Sequence, residues 1–503
     1  MQKLNLKTKL SYGIGNLGYG SLSQTLNSFV MFFATAILGI RGGLVGFAVG
    51  IATLWDGVSD PIVGYWSDIS SNKGFGKRLN FMFAATLIMA ISNILLWTIP
   101  VTLPLGLKFL FFLLALLLIE TACTLFATPY FALGVDIAPD YTEQNIVQGH
   151  KTVFFILGML IPSFLMMIFM PTQAGSKAQF EQQSYIDIGI VVSLICLISG
   201  FISIFGTKKA YKKITAFEMR KHNQHKQSFI ITLKKFLAAL KDKNYFSVII
   251  GYSVALLASA FLISVGMHLF TYAYHFNSTQ IPIIMMVLFF SAIISQPFWI
   301  YLANREEKKK TLNTSLITLL FGIGLTVITF IFRDNILNQT LFYLTLPCIF
   351  ICGFGTGSLY SLPLSMFADT LTMDKLKTGE NNSATYSGFM TIAYNLANSL
   401  ALTITGLLLD FIKFDPTQPV QPLSVQNSLG SIVFLGCSIS IAVSMLFFSK
   451  YDLKRREVLK AQMNNEIEKL KSSGHFSLIK AVEIENKEAI LSYDSGKKES
   501  VLS

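Results

Sequence analysis

The chain has 503 residues, 52% of them hydrophobic and only 14% charged, with a formal net charge of +12. A soluble domain usually carries about 25% charged residues, so this composition, with a mean hydropathy of +0.55, excludes an ordinary soluble enzyme. It points to an all-α polytopic membrane protein.

In chain order, residues 1–11 lead into an apolar stretch too long for a signal peptide, which is therefore kept as a span. Apolar runs then give twelve spans, at 12–39, 43–69, 79–102, 104–137, 150–171, 185–206, 246–276, 281–303, 311–332, 339–371, 384–412 and 428–449. Only helices satisfy their own backbone groups as single spans of this length. Cys123, Cys196, Cys348, Cys352 and Cys437 all fall inside these runs and read as small buried hydrophobes, not disulfides or metal ligands. With an even number of spans both termini share a side, and Lys and Arg decide which. Of the 40 basic residues, 35 fall on the side of the termini, against Arg41, Lys108, Lys177, Arg333 and Lys413 on the other. Both termini are therefore expected in the cytoplasm, in the inner (plasma) membrane. The positive charge is accounted for by inside loops facing membrane lipids, and no nucleic-acid partner is implied.

The longest internal polar stretch divides the chain into a first six-helix bundle (1–206), a central cytoplasmic loop (207–245), a second bundle (246–449) and a charged tail (450–503) expected to be partly disordered. Within the loop, SFIITLKKFLAALKD has apolar residues at helical spacing beside Lys234, Lys235 and Lys241. This reads as a basic amphipathic helix on the inner leaflet, or as a linker helix against the protein.

The second span contains LWDGVSDPIVGYWSD, with Asp56 and Asp60 four apart in an apolar run. Asp56 lies at the midpoint of 43–69, and Asp60 about 6 Å nearer the cytoplasm at ~1.5 Å per residue. The two share a helix face. A lone charge at the centre of a span costs at least about 2.5–3.5 kcal/mol. The pair is tolerable when it shares a proton or receives a cation. A site whose charge changes with occupancy is what ion coupling requires; the alternative is a pair hydrogen-bonded to neighbouring helices for packing.

Five segments carry a family resemblance: LSYGIGNLGYG at 10–20, WDGVSDPIVGYWSD at 55–68, GFGKRLNF at 74–81, TPYFALGVDI at 128–137 and FADTLTMDKLKTGENNSATYSG at 367–388. Together they resemble the glycoside–pentoside–hexuronide:cation symporters, typified by the melibiose carrier, over about 10–450. A degraded echo of Gly64-x-x-x-Asp68 with Lys77 and Arg78 recurs in YLANREEKKK at 301–310, as expected of repeated transporter halves. The resemblance implies the major facilitator fold of two six-helix bundles and alternating access. It implies Na⁺ or H⁺ as coupling ion at Asp56 and Asp60, with Ser59 and Thr124 completing the oxygen cage, and a basic residue, Lys151, near the solute. Positions where the melibiose carrier clasps its sugar with carboxylates hold Gly20 and Ala127, and its eleventh-span lysine is matched by Tyr394.

Glu120, one turn before Thr124, is a candidate replacement ligand. Tyr130, Phe131 and Trp299 offer aromatic walls, and Asn395 and Asn398 polar groups, for a solute. Asp68, Lys77, Arg78, Asp136, Asp369, Asp374 and Lys377 lie at cytoplasmic helix ends of both halves, where charge pairs are expected to latch the inside when the carrier faces out; snorkelling or surface charge is the alternative. His268, Tyr272 and Tyr274 read as membrane-interface residues. Neither a phosphate loop nor a Cys/His metal pattern nor a catalytic triad is evident, so the expectation is a monomeric carrier without cofactor, not an enzyme. Its small-molecule substrate is expected to be a sugar or glycoside, with a lysophospholipid or other amphipath as the alternative. A non-transporting membrane sensor is a reading from another class.

Overall fold

The computed structural model describes residues 4–70, 76–138, 141–170, 178–218, 241–378, 383–415, 418, 420–454, 457, 458, 460 and 461. The amphipathic stretch, but for Lys241 and Asp242, and most of the tail lie outside the described residues. The first half comprises α1 (Leu6–Phe32), α2 (Gly42–Ile69), α3 (Lys77–Trp97), α4 (Leu105–Asp136), α5 (Tyr141–Phe169) and α6 (Gln182–Glu218). The second comprises α7 (Lys243–His268), α8 (Gln280–Arg305), α9 (Lys308–Ile331), α10 (Asn338–Thr356), α11 (Leu362–Thr378), α12 (Ser383–Phe411) and α13 (Leu423–Phe448).

Eleven helices among the described residues are long and apolar enough to cross a membrane. The twelfth expected span, α1, has the length but is diluted by Gly, Ser, Asn and Gln. It needs no apolar surface for lipid, because α5, α6 and α7 surround it and most of its residues are buried. The tenth span is one crossing in two pieces, α10 and α11, joined by a 3-10 turn at Gly357–Tyr360. Gly353 and Gly357 bring it against Ser291 and Ser295 of α8 with no room for a Cβ.

The halves repeat one another in detail. Both α1 and α7 end in a π-turn, Phe33–Ile37 and Leu269–Ala273. Each turn is followed by a residue at positive φ, Gly39 at 69° and His275 at 56°. Glycine and, among other residues, histidine tolerate that region best. Arg78, opening α3, is paired with Asp136, ending α4; Lys308, opening α9, pairs with Asp369 of α11 at 2.6 Å. Both pairs staple neighbouring helices inside one half.

Between the halves α2 packs on α12, α1 on α7 and α5 on α8. Side-chain bonds across that interface, among the described residues, run from mid-span to the side opposite the termini; they include Ser399 to the Gly50 carbonyl, Thr403 to the Gly46 carbonyl, Asp410 accepting from the Gly43 amide, Thr35 with His268, and Gln179 to Thr271. His268, Tyr272 and Tyr274 are buried, not interfacial. His268 and Tyr272 are packed by Phe32 and Phe414, Tyr272 also by Phe180, and Tyr274 by Phe330. On the side of the termini, Phe131 is left 40% exposed, and Asp60, Thr128 and Lys151 are only partly buried.

Candidate functional site

The site is built on α2 and α4, which run in the same direction. Thr124 donates to Asp56 Oδ1 at 2.8 Å and, one turn on, Thr128 donates to Asp60 Oδ1 at 3.1 Å. Residues at i and i+4 on one helix thus meet residues at i and i+4 on its neighbour. Ser59 lies 3.0 Å from the Thr124 hydroxyl and donates to the Asp56 carbonyl at 3.1 Å. Above this ladder the Trp55 indole N–H donates to Thr121 at 2.8 Å, fixing the helices against each other. Pro61 supplies no N–H, so the Gly57 carbonyl lacks its helical donor between the two aspartates. The other half reaches the site through Asn395 of α12, whose amide donates to Asp56 Oδ2 at 3.3 Å.

Asp56 and Asp60 act electrostatically on each other, and both act on Glu120. Glu120 is partly buried and makes no hydrogen bond or ion pair among the described residues. Two carboxylates and the hydroxyls of Ser59, Thr124 and Thr128 are oxygen donors of the kind hard cations prefer. The Thr124 and Thr128 hydroxyls donate to the carboxylates here, and they can rotate to turn lone pairs toward an ion.

The other expected residues divide. Phe131 borders the open side, with the Lys151 ammonium 4.2 Å from its ring centre. Tyr19, which sequence reasoning passed over, sits between these groups. Its ring contacts Phe131 and Phe155, and it lies within electrostatic reach of Asp56, Glu120 and Tyr394. Tyr394 is close to both aspartates, and Asn398 is partly buried on the same helix.

Tyr130 and Trp299 are not brought there. Tyr130 is fully buried, stacked on Tyr12, and donates to the Tyr12 carbonyl at 2.7 Å. Trp299 is buried inside the second half, donating to the Phe354 carbonyl at 2.7 Å. Aromatic residues at helical spacing serve packing as readily as ligands, which is why sequence alone could not separate these two from Phe131. Of the expected latch, Arg78, Asp136 and Asp369 are in the pairs within halves. Lys77 and Asp374 are also engaged, and the side chains of Asp68 and Lys377 lie outside the described residues. Thr128 was legible in principle, as the residue one turn after Thr124 opposite the aspartate one turn after Asp56.

Across the interface the lining changes character. Inside the second half is an apolar cavity of about 80 Å³, bounded by residues including Leu262, Ile263, Leu288, Phe289 and Phe434. A smaller one of about 30 Å³ shares Leu262, Ile263, Leu288 and Phe289 and extends to Gln24 and Ser28 of α1. The two cavities lie side by side, and the smaller borders the central helix at Gln24 and Ser28.

Residues 11–455 match the family described as MFS/sugar transport protein. The sodium-dependent lysophosphatidylcholine symporter 1 of Xenopus tropicalis is 22% identical, over 91% of this chain and 90% of its own length. Its Mus musculus counterpart is 22% identical over 92% and 88%. An uncharacterized symporter of Synechocystis sp. is 21% identical over 84% and 89%. Among solved structures, the nucleoside transporter NupG aligns with a TM-score of 0.59 at 14% identity, covering 90% of this chain and 100% of that one. The partially occluded inward-open xylose transporter XylE from E. coli aligns with a TM-score of 0.59 at 12% identity, covering 90% and 98%. These two likenesses concern the fold alone.

Proposed function

The chain belongs to the MFS/sugar transport protein family, and from that membership we propose that it is a cation-coupled symporter for an amphipathic organic solute. The observation that carries this reading is the inequality of the halves. The first half presents carboxylates, hydroxyls and one ammonium; the second presents an apolar cavity, with a smaller one beside it bordering the central helix. A head group bearing both charges suits Glu120 and Lys151, and an acyl chain suits the apolar side. The relatives named as lysophosphatidylcholine symporters support such a solute.

The coupling ion is held by Asp56 and Asp60 with Ser59 and Thr124, and Thr128 supports the second carboxylate. The oxygen cluster favours Na⁺, and the sodium dependence in the relatives' names supports that choice over H⁺. The charge asymmetry puts both termini in the cytoplasm. The closed side is then extracellular, and the structure is an inward-facing state of a carrier that rocks its two bundles about a midplane site.

A second reading, a sugar or glycoside, draws on the family description and on the polar groups of Tyr19, Gln24 and Asn398. Against a melibiose-type clasp, a side chain at Gly20 would strike the Phe155 carbonyl 2.6 Å from its Cβ, and Ala127 is buried. The test is uptake into proteoliposomes under an imposed Na⁺ or H⁺ gradient, with labelled lysophosphatidylcholine and melibiose in parallel. We expect cation-driven accumulation of the lysolipid. Accumulation of melibiose with none of the lysolipid would replace this reading with the second.

A further inference from the structure

We propose that Asn395 is the residue by which the second half senses the ion: a positioning group that ties α12 to Asp56 without the ion and releases it when the ion binds. The inference rests on the reading of Asp56 and Asp60 as the cation site. Asn395 is buried, with 7% of its surface exposed, and its amide N–H meets Asp56 Oδ2. The orientation has a physical reason, since an ionised carboxylate only accepts hydrogen bonds and an amide oxygen turned toward it would repel it.

In this arrangement Thr124 donates to one oxygen of Asp56 and Asn395 to the other. A cation entering between Asp56 and Asp60 changes what each donor faces. The threonine hydroxyl adapts by a rotation about one bond. The amide cannot, because its N–H dipole then points at a positive charge; it must turn over to offer its oxygen, or withdraw. Both outcomes break the bond joining the halves at mid-span. The strand of contacts beyond it runs along the same helix, from Ser399 at the Gly50 carbonyl through Thr403 at the Gly46 carbonyl to Asp410 at the Gly43 amide. Ion occupancy at Asp56 is thereby linked to the fit of α12 on α2, the interface that must open for the carrier to face the other way. Because linkage is reciprocal, the same bond makes ion affinity depend on which way the carrier faces.

The experiment pairs two measurements on the purified full chain. Thermal stability in NaCl against choline chloride reads ion binding. Spin labels at Ile146 on α5 and Leu364 on α11, both exposed, read the separation of the halves; the five native cysteines are buried and do not compete. In the parent protein Na⁺ shifts the ratio of open to closed populations, by about 5–150-fold for a coupling of ordinary size. We expect Asn395→Ala to keep the Na⁺-dependent rise in thermal stability while the population ratio becomes nearly independent of Na⁺. Asn395→Ser, too short to reach Asp56, should behave alike and covers the case in which the alanine variant folds poorly. A population shift undiminished in both variants overturns the proposal. Loss of the thermal response as well overturns it in favour of Asn395 as an ordinary part of the ion site. If the parent protein responds neither to Na⁺ nor to a change of pH, the cation-site reading fails, and this inference with it.

Discussion

Thr35 on α1 and His268 on α7 share a hydrogen bond of 2.7 Å across the interface between the two halves. Each sits at the π-turn that ends its helix, and Phe32 and Phe414 pack on the imidazole at centroid distances of 5.0 and 5.2 Å. The packing around this contact is aromatic, and Gln179 adds a second polar link between the halves, donating to Thr271 at 3.4 Å. A hydrogen bond nets about 0.5–1.5 kcal/mol, and an aromatic pair about as much again. His268→Ala should therefore shift the population toward the outward-facing form by about tenfold or more. Spin labels at Leu105 and Leu337, exposed on that side in opposite halves, should move apart. An unchanged distance distribution would show that the closure is held elsewhere.

Gly46 makes a sharper test of the same closure. A Cβ on Gly46 would lie 2.7 Å from the Leu402 carbonyl oxygen and 2.9 Å from the Gly406 Cα, both backbone atoms of α12 that cannot turn aside. Gly46→Leu should hold the halves apart on this side and reduce net uptake at least tenfold, while solute binding from outside persists. Wild-type uptake by this variant would mean that α2 and α12 need not meet closely during transport.

The two-rung ladder predicts graded effects on ion activation. A hydrogen bond to a charged group is worth about 1.5–3 kcal/mol, or roughly 10- to 100-fold in an equilibrium constant. Thr124→Val removes a donor to Asp56 and a hydroxyl facing both carboxylates, so it should raise the Na⁺ concentration for half-maximal uptake by the larger amount. Thr128→Val removes only the donor to Asp60 and should raise it by the smaller. Equal sensitivity, or a greater effect at Thr128, would move the ion toward Asp60.

The solute head should distinguish Glu120 from Lys151. Lys151→Gln should weaken every lysophospholipid by about tenfold, the scale of one charge-assisted bond. Glu120→Gln should weaken lysophosphatidylcholine, whose head carries a cation, and leave lysophosphatidic acid, which lacks one, nearly unaffected. Competition between the two lipids for uptake gives both numbers. Identical losses for both lipids in both variants would argue that the pair supports structure and not recognition.

Much of the fold was legible because its signals are periodic and long. The apolar runs mark the crossings, Asp56 and Asp60 stand out against grease, and a four-residue spacing puts them on one face. What the sequence concealed depends on neighbours brought from afar. Tyr130 and Phe131 are adjacent, yet one turns into the α1–α4 contact and the other toward the open side. Trp299 is spent on the Phe354 carbonyl. Asn395 was legible as a polar group that must find a partner in the membrane, but only the packing of α12 on α2 makes that partner Asp56. Charges at helix ends read as a latch that closes the inside when the carrier faces out; in this structure, open on that side, Arg78–Asp136 and Lys308–Asp369 pair within halves, and no spacing rule foretells those partners. The apolar cavity of the second half was invisible for a simpler reason: its lining residues look like any other membrane-helix residues until the helices leave space between them.

The most direct test of the central claim is accumulation driven by the ion itself. Proteoliposomes carrying the parent protein, or the Asp56→Asn/Asp60→Asn double variant at matched density, are loaded without solute and given an inward Na⁺ gradient, and the internal solute is measured against time. The parent should accumulate solute above its external concentration. The double variant, permanently neutral at the site, should only equilibrate, while exchange of solute down its own gradient continues. Full Na⁺-driven accumulation by the double variant would contradict the account, leaving the aspartate pair structural and the coupling ion bound elsewhere.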